Sequence, residues 1–199
     1  MVLDMQNRHG KKNMFQKSKV HVLESNRILG TFDTPTIAGN NLTWTQIGST
    51  LVFATSTRTL ALFGANASGA TSGITTVTFA NTQLGCTVSF FHATGVDLAS
   101  GVAAAFVQNV SNSGTGTAGS VTLAAASATK NRAISGWCHL ANEVTTHATN
   151  WTEADDLAGI GHMRGSQTQY RTDAFDTAAA ATWTTSSAWG GIAAELKAA

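Results

Sequence analysis

Any chemistry in this 199-residue chain must come from a small stock of ionisable side chains: six histidines, eleven acids and two cysteines. Four of the histidines, His92, His139, His147 and His162, lie in the strand-forming part, with Asp97, Glu143, Asp155 and Asp156 not far off in sequence. None of the four forms the close i, i+2 or i, i+4 pair that holds zinc on one element, and no C-x-x-C is present. They read as core or surface histidines with ordinary polar partners, so no metal and no cofactor is expected. The run Glu153-Ala154-Asp155-Asp156 is rich in carboxylates, yet it lacks the glycine turn and spaced oxygens of a calcium loop.

A search for nucleophiles returns as little. There is no G-x-S-x-G elbow, no phosphate-cradling glycine loop, and neither Cys86 nor Cys138 sits in an electropositive turn that would favour a thiolate. Asp173 and Asp176 could form a carboxylate pair, but residues three apart on a strand point to opposite faces. No catalytic residues are assigned, and the chain is expected not to be an enzyme. Five tryptophans, at 44, 137, 151, 183 and 189, remain. Buried, they fill a core; exposed, they stack on sugar rings. The glycan alternative would rest on Trp137 and Tyr170.

The elements that must position these residues have a period of two. Leu60 and Leu62 alternate with Thr59, Ala61 and Phe63; Thr75, Val77 and Phe79 alternate with Ile74, Thr76 and Thr78; Cys86, Val88 and Phe90 alternate with Thr87, Ser89 and Phe91. Short alternating runs split by Gly/Ser/Asn clusters argue for an all-β domain, an antiparallel sandwich of jelly-roll or Greek-key type. Trp44-Thr45 and Arg58-Thr59 are echoed by Trp151-Thr152 and Arg171-Thr172, a layout that argues for two related halves, with a strand opening at each Arg-Thr pair. Residues 102–107, VAAAFV, read as a central strand or a short helical turn, and length favours the strand. Gln108 to Ser120 carries no large side chain after Val110 and reads as a long flexible loop. Two runs, AISGWCHL from Ala133 and SAWGGIAAEL from Ser187, read as strands; Gly190-Gly191 marks a bulge or a close backbone approach.

Only 12% of residues are charged against 43% hydrophobic, and the formal net charge is +1. That balance excludes a disordered chain and gives no general attraction to nucleic acid or an anionic membrane. A surface this poor in charge argues that much of it is covered by other subunits. No apolar run reaches the roughly 18 residues of a membrane helix, and the N-terminus has no apolar core of a secretory signal. Two cysteines are too few for a disulfide framework, and each reads as a buried free thiol.

Residues 1–40 differ from the rest: six of the twelve Lys and Arg residues fall there, including Arg8, Lys11, Lys12, Lys17 and Lys19. They read as an extended basic arm ahead of a β domain at 41–199, with KVHVLE (residues 19–24) as an edge strand. The arm reads either as a solvated, mobile segment or as one that orders against a neighbouring subunit by adding a strand to its sheet. Removing residues 1–30 is therefore expected to spare the fold and abolish assembly. No aromatic residues are interleaved with its charges as base stacking requires, so nucleic acid is not the expected partner.

Four segments, LTWTQIG, QNVSNSGTGTAGSVTLAA, NWTEADD and the closing ATWTTSSAWGGIAAELKAA, together resemble the β-sandwich domains of tailed-bacteriophage virion proteins, over about residues 40–199. The resemblance implies a head-decoration or tail-associated protein that works by binding alone and has no active-site residues. It would be located in the virion, assembled in the host cytoplasm, with other virion proteins and further copies of itself as partners. The alternative is a carbohydrate-binding module of a host-attachment fibre.

Overall fold

The computed structural model describes residues 34–69, 72–158 and 164–199, together with the backbone of 17–26. Among these residues there is no α-helix, and every named strand pairs antiparallel. The first half of the chain builds β1 (Lys17–Asn26), β2 (Thr36–Gly39), β3 (Trp44–Phe53), β4 (Arg58–Asn66), β5 (Thr75–Thr78) and β6 (Gly85–Thr94). The second half builds β7 (Phe106–Thr122), β8 (Arg132–His139), β9 (Thr146–His147), β10 (Thr152–Leu157), β11 (Gly165–Tyr170) and β12 (Ala178–Leu196).

Each half makes its own main sheet. The first has the order β3-β4-β1-β6; the second runs β10-β11-β8-β12-β7, with β9 added to β12; β2 and β5 form a separate two-stranded ribbon. Alternation decides what faces what. Ile47, Phe53, Leu60 and Leu62 of the first sheet share one buried cluster with Ile134, Cys138, Ile192, Ala194 and Leu196 of the second. The opposite face of the first sheet carries Ala61 and Phe63, against which Ile37 and Val77 of the β2–β5 ribbon pack. The other face of the second sheet holds Trp137, Trp183 and Trp189 in a cluster with Trp151. Two glycines make room for aromatic rings: a Cβ on Gly190 would fall 2.8 Å from Phe53 of the first sheet, and one on Gly191 would collide with the ring of Trp137, its register partner on β8.

Several expectations change here. KVHVLE is not at an edge: β1 pairs with β4 on one side and β6 on the other. The boundary expected at residue 40 therefore has a sheet strand on its N-terminal side. Residues 103–105 form a 3-10 turn, the second of the two options for that apolar run, because the strand begins only at Phe106. Gln108 to Ser120 is no loop but most of β7, whose 17 residues pair with β12. Its small residues serve close packing: Gly114 and Gly119 both lie against the Trp189 ring.

The β7–β12 ribbon folds back on itself. Asn112 Nδ2 donates to the Ser120 carbonyl at 3.0 Å, eight residues along the same strand. A straight strand would separate them by about 26 Å at ~3.3 Å per residue. The register shift between Thr182 and Ser187 puts extra residues of β12 on the outside of this corner. Trp183 Nε1 donates to the Gly116 carbonyl at 2.9 Å and pins it. The far half of the ribbon thus lies over the Trp-bearing face of its own sheet, where Gln169 reaches the Ala180 carbonyl at 2.8 Å.

Candidate functional site

The group nearest to a catalytic constellation surrounds His139. Alternation on β8 puts Ser135, Trp137 and His139 on one face, where the Trp137 indole donates to the Ser135 hydroxyl at 3.0 Å. The His139 ring stacks on Trp183, with centroids 4.5 Å apart, and its Nε2 lies 3.0 Å from the Thr145 hydroxyl. A hydroxyl beside an imidazole has the form of a nucleophile–base pair. Three features argue against that role. Both residues are buried, with Thr145 2% exposed. The neighbouring carboxylate, Asp156, accepts from the Thr145 backbone N–H at 3.2 Å and not from the imidazole, and among the described residues His139 Nδ1 is buried with no hydrogen-bond partner. Burial also holds the imidazole at a pKa of about 4, against the opposing pull of Glu143, so at neutral pH it is uncharged and a weak base.

The acids around it are held by backbone and amide groups. Burial raises the pKa of Asp156 despite the Thr145 N–H bond. Glu153 accepts from the Gln167 amide at 3.2 Å, and Glu143 accepts from the Thr185 N–H. Among the described residues no group of three or more His, Cys, Asp or Glu is arranged to hold a metal ion. Gln167 and Gln169 instead tie the 141–151 segment to β11, donating to the Thr145 carbonyl and accepting from the Ala148 N–H.

Two further polar centres escaped the sequence reading. Glu195 on β12 is fully buried. Its carboxylate accepts from Gln108 at 2.6 Å, from Asn131 at 2.6 Å, and from both the N–H and the hydroxyl of Ser127 at 2.8 and 2.9 Å. Burial alone would raise its pKa, but the bonds from Asn131, Gln108 and Ser127 outweigh it and leave the group below its usual range. The only sequence signal was an acid at an inward position of an otherwise apolar alternating strand. The second centre is Arg171, 7% exposed, which bonds Asp173 and Asp176 at 3.1 Å each. Here the expectation of a strand opening at Arg171 fails, since β11 ends at Tyr170 and the acids lie in the turn that follows. Asp173 and Asp176 do converge, but on a guanidinium that holds both.

The residues expected to bind partners fall in different places. Lys17 and Lys19 open β1, at register positions opposite Thr94 and His92 of β6. Arg8, Lys11 and Lys12 lie outside the described residues, as does His162. Trp137, expected to be available for glycan stacking, is 1% exposed inside the tryptophan cluster, so no sugar can reach its face. Tyr170 is half-buried and packs on the cluster between the sheets. The space beside Thr87, Ser89, Asp155, Ser166 and Thr168 is water-sized, about 10 Å³.

Among the described residues, what stays open is an edge. The outer strand β10 carries Glu153, Asp155 and Asp156 and a bulge, both devices that discourage pairing with another chain. At the opposite side of the same sheet β7 has no charged residue and no proline, and residues 109–115 are exposed on both faces. No protein-family model matches the chain, and no curated protein or solved structure matches it.

Proposed function

We propose that the chain is a non-enzymatic structural component of a phage-like particle. It is a two-layer β-sandwich of jelly-roll character that docks on a capsid as decoration, or on a tail, through subunit contacts. Its partners are other virion proteins and further copies of itself, and it is located in the virion, assembled in the host cytoplasm. The observation that carries this reading is the open flank at β7, set against an interior whose ionisable groups are nearly all bonded to the protein itself. Such a chain offers surface and main-chain hydrogen bonds to a neighbour, and many equivalent sites on a symmetric particle turn modest contacts into firm attachment. The sandwich reading draws support from the cluster that both sheets share.

The basic arm supplies the second contact, and β1 changes how it is tested. A cut at residue 30 would remove a strand that pairs on both sides, so the informative truncation removes residues 1–16. That variant is expected to unfold at the same temperature as the full chain and to be lost from purified particles. Incorporation equal to the full chain would contradict the role given to the arm.

A further inference from the structure

We propose that β7 is a homodimer interface at which two copies join their larger sheets, edge to edge and antiparallel. The inference goes beyond the particle reading, since it names both a surface and its partner, and either can fail alone.

The strand is built as an unguarded edge. From Gln108 to Gly116 it pairs with β12 residue for residue, without a register shift, as far as Ser187. Its other side has no backbone partner among the described residues. Over this stretch no Lys, Glu, Asp, Arg or Pro occurs, and the side chains are Gln, Asn, Val, Ser, Gly and Thr; the one local bond that pairing would have to replace is that of the Ser113 N–H to the Asn112 side-chain oxygen at 2.9 Å. The other edges are less suited. β10 carries three carboxylates and a bulge, β3 is interrupted between Ile47 and Leu51, and on β6 Cys86, Thr87, Phe90 and His92 are already engaged in other interactions.

A second copy offers an identical unguarded strand, which an antiparallel pair joins about a twofold axis. A twofold axis that uses all nine residues from Gln108 to Gly116 must pass through the middle one, Asn112. Ser111 then faces Ser113 of the other copy, and Val110 faces Gly114. Val110 is 37% exposed and Val107 is 41% exposed, the two large apolar side chains of β7 that face solvent. The axis sets the Ser111 and Ser113 hydroxyls of the two copies side by side on either side of Asn112. Cross-strand pairs of this kind are the unit of sheet stabilisation. With a formal charge of +1 per chain, two copies approach with little repulsion.

The test is sedimentation of the full chain over a concentration series, with two variants. The wild type is expected to show a monomer–dimer equilibrium. Ser113→Lys, which sets a lysine beside the axis in each copy, is expected to sediment as monomer with an unchanged melting temperature. Asn112→Cys, made with Cys86→Ser, is expected to form a disulfide-linked dimer on oxidation, whereas Val107→Cys, five residues from the axis, does not. A wild-type chain monomeric up to its solubility limit overturns the proposal. So does a dimer that persists in Ser113→Lys, or one that crosslinks through Val107→Cys in place of Asn112→Cys. Particle incorporation is read separately. An incorporated monomer removes only the dimer, and a dimer absent from particles removes only the particle reading.

Discussion

His139 shows how burial converts a reactive side chain into a stability term. Its folded pKa, about 4, lies below the ordinary 6.5. Between those values the unfolded chain binds more protons than the folded one, so stability rises with pH across that window and is flat above it. Read downward, stability is complete above about pH 6.5 and is lost as the pH falls toward 4. The loss amounts to about 3 kcal/mol at most. Asp156 works in the opposite sense, because its raised pKa means the folded state prefers the protonated acid as pH rises past 3.8. Urea unfolding at pH 5 and pH 7 is expected to show His139→Phe much less sensitive to acid than the wild type. An unchanged difference between the two pH values would contradict the assignment. The sequence placed His139 and Trp137 on one face of a strand, and that face is where they lie. It gave no sign of Thr145 as the ring's partner, because Thr145 arrives from a segment after β8, held there by Gln167 and Asp156.

Strands were legible wherever apolar side chains recur with a period of two, including β4 and β8, which are buried on both faces. β4, β6, β8 and the last part of β12 follow from alternation alone, and the tandem Gly190-Gly191 announced a close approach that two aromatic side chains make. β7 was hidden because its composition is that of a turn. Ser, Asn, Gly and Thr here form a strand because β12 supplies a pairing edge and Trp189 lies against two of its glycines, so tertiary packing overrides propensity. Arg171 was misplaced for a related reason: an Arg-Thr pair looks the same opening a strand as it does just after one. Packing at Gly191 yields a sharp test. Gly191→Ala drives a methyl group into the Trp137 ring and is expected to cost about 1–3 kcal/mol, measured by urea unfolding. Gly73→Ala, whose new methyl would meet only the Asn40 amide oxygen at 3.1 Å, serves as the control. Equal effects at the two sites would show that the Trp137 cluster tolerates a shift.

On the scale of the whole molecule, the two halves of the chain build two sheets, joined by one apolar cluster. The sequence predicted an all-β protein, and the fold is all-β; the expected echo of one half in the other does not carry over to the strands, since Arg58 opens β4 whereas Arg171 follows β11, and the difference between the flanks could not be read from it. Pattern reports which face of a strand is buried, whereas edge position depends on strand order, which alternation does not encode. The order leaves acids at β10 and none at β7. That asymmetry underlies the reading of the chain as a part made to be joined to others. The most direct measurement is the copy number of this chain in density-purified particles from the cells that make it, by quantitative mass spectrometry. The account predicts that the chain bands with shell or tail subunits in a fixed ratio to them. A chain that stays in the soluble fraction while complete particles band without it would contradict the account.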